Sequence, residues 1–128
     1  MSYLFLPYFF NIVVLIPIGL MTLFGGDRGG QLACQGKFRE SEGFRTILGS
    51  LWTAILISSI IGLFFPVPMS PLLLIQVIYK ALWLLVFVTP RLMSGRASEI
   101  PSGIAFVFFV IVLSYPWFIP WQHLFVTE

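Results

Sequence analysis

The sequence predicts an all-α integral membrane protein of four transmembrane helices, with both termini on the non-cytoplasmic side. Three observations predict it. Of 128 residues, 59% are hydrophobic and only 9% charged, whereas a soluble domain carries about a quarter charged residues. The mean hydropathy is +1.00. Four separate stretches are apolar over roughly the 20 residues needed to cross a bilayer. Together they form one transmembrane domain covering residues 1–128.

The spans are expected at about 3–24, 46–65, 71–89 and 102–121. The first carries no charge, and no basic residue precedes Arg28. It therefore reads as a retained helix, since a cleaved signal opens on basic residues and has a shorter apolar stretch. Glycines at 25, 26, 29 and 30, around Asp27 and Arg28, predict a flexible exit. The 66–71 link is uncharged; Ser70 is placed to cap the third helix and Pro71 to occupy its first turn. Thr89-Pro90 is expected to end that helix, and Pro116 and Pro120 to kink or end the fourth.

Orientation follows from the basic residues. Arg28, Lys37, Arg39 and Arg45 fall in one loop and Arg91 and Arg96 in another. With four spans these loops share a side, and no Lys or Arg lies on the other side. Such asymmetry places the basic loops in the cytoplasm. Tyr3, Tyr8, Trp117 and Trp121 are then expected as an outer aromatic belt. Residues 37–45 mix charges with phenylalanines and read as a solvated loop, with an interfacial helix as the alternative. The lone Cys34 is cytoplasmic in this topology and cannot form an internal disulfide.

One residue breaks the pattern. Lys80 lies about nine residues from either end of the third span, where a lysine costs roughly 2.5–3.5 kcal/mol on insertion. No Asp or Glu falls within the four spans. Its counter-charge is expected from a partner chain or a ligand; snorkelling to a polar cavity, or a neutral amine packed between helices, are the alternatives. Gln76 lies one turn outward on the same face, and Trp83 and Phe87 continue it inward. Asn11, Ser58, Ser59, Ser114 and Tyr115 fall at similar depth on the other spans. Lys80, Gln76, Asn11, Tyr79 and Trp83 are accordingly the expected ligand- or partner-binding residues. On the second span, Ser50, Ala54, Ser58 and Gly62 recur every four residues. Small residues so spaced let helices approach closely, so this stripe is expected to be a packing face, internal or toward a partner.

No catalytic set is visible. His123 is the only histidine and, without Cys or acidic neighbours, makes no metal site. The glycines at 25–30 are not followed by the Lys-Ser/Thr of a phosphate loop. The basic residues do not form the clustered face that nucleic acid requires. Expected partners are membrane lipid and other membrane subunits or further copies of the chain, with no cofactor. The expected role is a non-catalytic membrane subunit or scaffold. The alternative is an oligomeric carrier or channel that binds an anion, lipid or quinone head group near Lys80.

The stretches PLLLIQVIYKALWLLVFVTP (71–90) and YPWFIPW (115–121) resemble those of small bacterial four-helix membrane proteins with no assigned activity. The likeness covers mainly the second half of the chain. It implies a bacterial inner membrane and carries over no function.

Overall fold

Apolar length and seam spacing shape the whole architecture. The computed structural model describes residues 3–36 and 41–125, apart from the side-chain surroundings of Asp27 and the exposure of Gly30. All regular structure among them is helical: α1 (Phe5–Phe24), α2 (Gly26–Ala33), α3 (Glu42–Phe64), α4 (Pro71–Trp83), α5 (Thr89–Met93), α6 (Ser102–Ser114) and α7 (Trp121–Leu124). Three segments are long and apolar enough to cross a membrane: α1, α3 and the continuous run Pro71–Met93. The fourth apolar helix, Ser102–Trp117, is shorter. The chain is thus a multi-pass membrane protein.

Each long helix turns a three-four seam inward. On α1 it runs Tyr8, Asn11, Leu15, Gly19, Thr22; on α3, Gly49, Trp52, Leu56, Ser59, Gly62. Leu73, Gln76 and Lys80 form the seam of α4, and Ile104, Phe108 and Ile111 that of α6. Such spacing keeps one stripe facing its neighbour along a bundle. The principal pairings are α1 with α3 and α4 with α6. One apolar cluster, including Leu15, Trp52, Leu56 and Phe108, fills one part of the interior. A second, including Tyr8, Leu73, Ile111 and Tyr115, fills another.

The structure corrects several expectations. The glycine stretch is not a flexible exit. Gly25 closes α1 through its N–H to the Met21 carbonyl, Gly26 turns the chain at φ 63°, and α2 begins at once. After α2 the Gln35 side chain accepts the Gly103 N–H at 2.8 Å. That pins the loop to an otherwise unpaired donor at the start of α6.

Pro90 does not end the third span. A proline lacks an N–H, and its ring crowds the carbonyl four residues back. Here the helix widens into a π-turn over Leu84–Val88, where both the Thr89 N–H and its Oγ1 reach the Leu84 carbonyl. It then continues to Met93. At the fourth helix, Pro116 tightens the end into a 3₁₀ turn, Tyr115–Trp117, so regular α-structure stops at Ser114. Pro71 does sit in the first turn of α4, but Ser70 makes no cap; its Oγ donates back to the Val67 carbonyl. Tyr8 is not a belt residue: it is fully buried and donates to the Pro66 carbonyl at 2.6 Å. Tyr3, Trp117 and Trp121 are exposed. The possible interfacial helix at 37–45 begins outside the described residues; from Ser41, whose Oγ accepts the Phe44 N–H, the chain is already capping α3.

The small-residue stripe is displaced from the true contact. Ser50 and Ala54 are exposed, Ser58 is half-buried and Gly62 alone of the four is buried. One residue is a 100° step around a helix, and the face toward α1 is carried by Gly49 and Gly62. A Cβ on Gly49 would lie 2.6 Å from the Leu23 backbone, and one on Gly62 would lie 2.6 Å from the Tyr8 ring. Gly49→Val should therefore force α1 and α3 apart and destabilise the fold by about 1–3 kcal/mol. Ala54→Leu, on the outer face, should leave the melting temperature of the detergent-solubilised chain within a degree or so. Equal melting of both variants and the parent would contradict this packing.

Candidate functional site

Polar side chains on the four seams meet in the interior. From α1, Asn11 donates through Nδ2 to Ser59 Oγ of α3 at 3.0 Å. Its Oδ1 faces the Tyr115 hydroxyl at 2.5 Å, and that hydroxyl also lies 2.9 Å from the Pro7 carbonyl. A carbonyl oxygen has two lone pairs, so Pro7 can accept this bond from within the helix; with one proton, Tyr115 donates to one acceptor at a time. Asn11, Ser59 and Tyr115 are all at most 2% exposed. Three helical segments are thus tied at one depth by side chains alone.

Lys80 lies within the same interior, 3% exposed. Helical i, i+4 spacing puts Gln76 beside it, and Nζ donates to Gln76 Oε1 at 2.8 Å. The amine also sits 5.0 Å from the Phe108 ring centroid and 5.3 Å from that of Tyr79. Aromatic faces attract a desolvated cation by about 0.5–2 kcal/mol each, and a hydrogen bond to a charged group contributes roughly 1.5–3 kcal/mol. These terms are of the size needed to offset the insertion cost. Glu99 is engaged elsewhere, 3.1 Å from Arg91 and 3.8 Å from Arg96.

Of the residues expected in a site, Lys80, Gln76 and Asn11 are buried in this interior. Tyr79 is half-buried beneath the amine, its hydroxyl enclosed without a partner in hydrogen-bond geometry. Trp83 is half-buried too, but it stacks on Phe87 at 5.3 Å and meets Phe108 edge-on. Ser59 joins the network; Ser114 does not, since its hydroxyl donates to the Val110 carbonyl of its own helix. Trp52 and Phe108 were not legible as site residues in the sequence, because large apolar side chains occur throughout every span. Gln76 Nε2 is buried and without a partner.

Beside Lys80 lies a cavity of about 20 Å³, lined by Asn11, Leu15, Trp52, Phe108 and Ile111 among others. A water needs about 10–15 Å³ by this measure, so the space suits one small occupant. A lateral apolar groove of about 200 Å³ opens next to it, between Leu51, Trp52, Tyr79 and Trp83.

Cys34, at the foot of the bundle, is 7% exposed, and burial pushes its thiol above the usual range. His123 stands exposed in α7.

No family model, curated protein or solved structure matches this chain.

The site makes a signed prediction about Lys80. In a chloride-free gluconate buffer, Lys80→Met should melt at or above the parent temperature, because the charge is removed together with its burial penalty. Gln76→Leu should melt lower, by about 1–3 kcal/mol, because it leaves the ammonium without its acceptor. The Gln76→Leu/Lys80→Met pair should recover most of that loss. A strongly destabilised Lys80→Met chain beside a neutral Gln76→Leu chain would reverse the assignment.

Proposed function

We propose that this chain is a non-catalytic membrane subunit or scaffold of a bacterial inner membrane, packing against partner membrane proteins or further copies of itself. The observation that carries this reading is the use to which interior polar groups are put. Asn11, Ser59, Tyr115 and Tyr8 each bond to another part of the same bundle, and Gln76 holds Lys80 on its own helix. They rigidify it and hold the outer faces in fixed register.

Those outer faces are apolar. Phe9, Val13 and Ile16 of α1, Ile57 and Ile61 of α3, and Leu82, Leu85 and Val86 on the third span are exposed. Lipid satisfies such surfaces, and so does another helix. The exposed Ser50 and Ala54 give α3 a shallow groove on that exterior, where a helix can approach closely.

In this reading Ser102–Trp117 also crosses the bilayer. At 1.5 Å per residue it reaches roughly 24 Å, and a short span is accommodated by local thinning of the bilayer. Four crossings put the loops bearing Arg28, Arg45, Arg91 and Arg96 together in the cytoplasm and both termini outside. Lys80 does not recruit a partner's carboxylate, since it faces inward; partner contact belongs to the exterior.

Two measurements test the reading. Ser94→Cys, in the exposed 94–96 turn, should resist an impermeant thiol reagent applied to intact cells, and Tyr3→Cys should react. Buried Cys34 provides a low background. Labelling of Ser94→Cys from outside would overturn the orientation. The tagged chain, extracted in mild detergent, should run as a complex larger than one chain plus its micelle, and Ala54→Leu should shrink it without altering melting. A purely monomeric parent would overturn the scaffold role.

A further inference from the structure

The cavity beside Lys80 has an imbalance that identifies what it can hold. Its polar wall consists of Lys80 and Asn11, which are 3% and 1% exposed. An ammonium has three protons, and only one has an acceptor, Gln76 Oε1. The Asn11 amide has two, of which one goes to Ser59. Gln76, which holds Lys80 but does not line the cavity, has an amide nitrogen with no partner. Most acceptors nearby already face a donor: Gln76 Oε1 faces Lys80, Asn11 Oδ1 faces Tyr115 and Ser59 Oγ faces Asn11, while the Tyr79 hydroxyl, which can also donate, has no partner. Donors are in surplus, the amine brings a positive charge when protonated, and no carboxylate lies within the described parts of the spans beyond Glu42 at the exposed start of α3.

An occupant that completes this set accepts hydrogen bonds and carries negative charge. Size narrows it further. About 20 Å³ admits one sphere near the size of a water, which leaves out carboxylates, phosphate, lipid head groups and quinones. The remaining walls, including Leu15, Trp52, Phe108 and Ile111, are apolar and suit a weakly hydrated ion. We infer that this cavity, enclosed by α1, α3, α4 and α6, is a binding site for one monatomic anion of the halide class, held by the Lys80 ammonium and the Asn11 amide. The bound ion supplies the counter-charge that the chain itself lacks at this depth. The inference is separate from the scaffold role, and the composition of the extracted complex does not bear on it.

Purified protein in a neutral detergent is melted in sodium bromide and in sodium gluconate at equal ionic strength, gluconate being too large for the cavity. Ligand that binds only the folded state stabilises it by mass action, so a tenfold excess over Kd should raise Tm by about 4 °C. The rise should saturate, and Lys80→Met should lose it. General salt effects on the surface remain in that variant and are subtracted by the comparison. Should Lys80→Met fail to fold, chloride-35 NMR on the parent protein decides alone. Chloride should broaden on adding protein and sharpen again with bromide, but not with sulfate. A non-saturating shift, an equal shift in a folded Lys80→Met chain, or sulfate competing as well as bromide would each overturn the site. No halide dependence at all would assign the cavity to a water molecule and overturn it equally.

Discussion

A polar side chain inside a lipid-embedded bundle has no bulk water to turn to, so its partners must be built into the fold. This condition organises the interior. Asn11 holds Ser59 with its amide and faces Tyr115 with its carbonyl. Tyr8 reaches the Pro66 carbonyl in the turn that follows α3. Each bond joins residues 48 or more positions apart, so it fixes helix against helix. Hydrophobic packing could not do so alone, because lipid tails are as apolar as leucine and do not drive helices together. Close backbone approach supplies the other half: Gly49 lets the Leu23 backbone in, and Gly62 receives the Tyr8 ring.

Lys80 tests the same condition at its most demanding. A buried charge with one partner removed is strongly destabilising, whereas replacing charge and partner together is often neutral. The chain answers with a neighbour one turn away and two aromatic faces rather than with an acid. A carboxylate would neutralise the site and close it. Glutamine orients the amine and leaves its charge uncompensated, which keeps the adjoining cavity attractive to an anion. The rigid tie at Asn11 serves both purposes, since the residue that links three helical segments also forms the cavity's second polar wall.

Much of the architecture is legible from composition, because a run of some 20 apolar residues has few alternatives to a spanning helix. Lys80, Gln76 and Asn11 were legible for the same reason: polar residues stand out against such a background. What the sequence hides follows from that background as well. An apolar residue facing lipid and one facing the core look alike, so no amphipathic signal places the Gly49–Gly62 seam one residue away from the Ser50–Ala54 stripe. Tyr8 has the amphipathic character of a belt residue, and only the position of the Pro66 carbonyl draws it inside. Proline at 90 reads as a helix end, yet a π-turn at Leu84–Val88 absorbs it, as membrane helices often do where local adjustments satisfy freed groups.

The side-chain tie across α1, α3 and the end of α6 is most directly tested by a double-mutant cycle on Asn11 and Tyr115. Asn11→Leu, Tyr115→Phe and the combined variant would be unfolded in mild detergent under identical conditions. If the two side chains hold the segments through their mutual bond, the cycle should show a coupling of about 0.6–1.7 kcal/mol, the range for such bonds between membrane helices. Strictly additive losses, with no coupling, would contradict it.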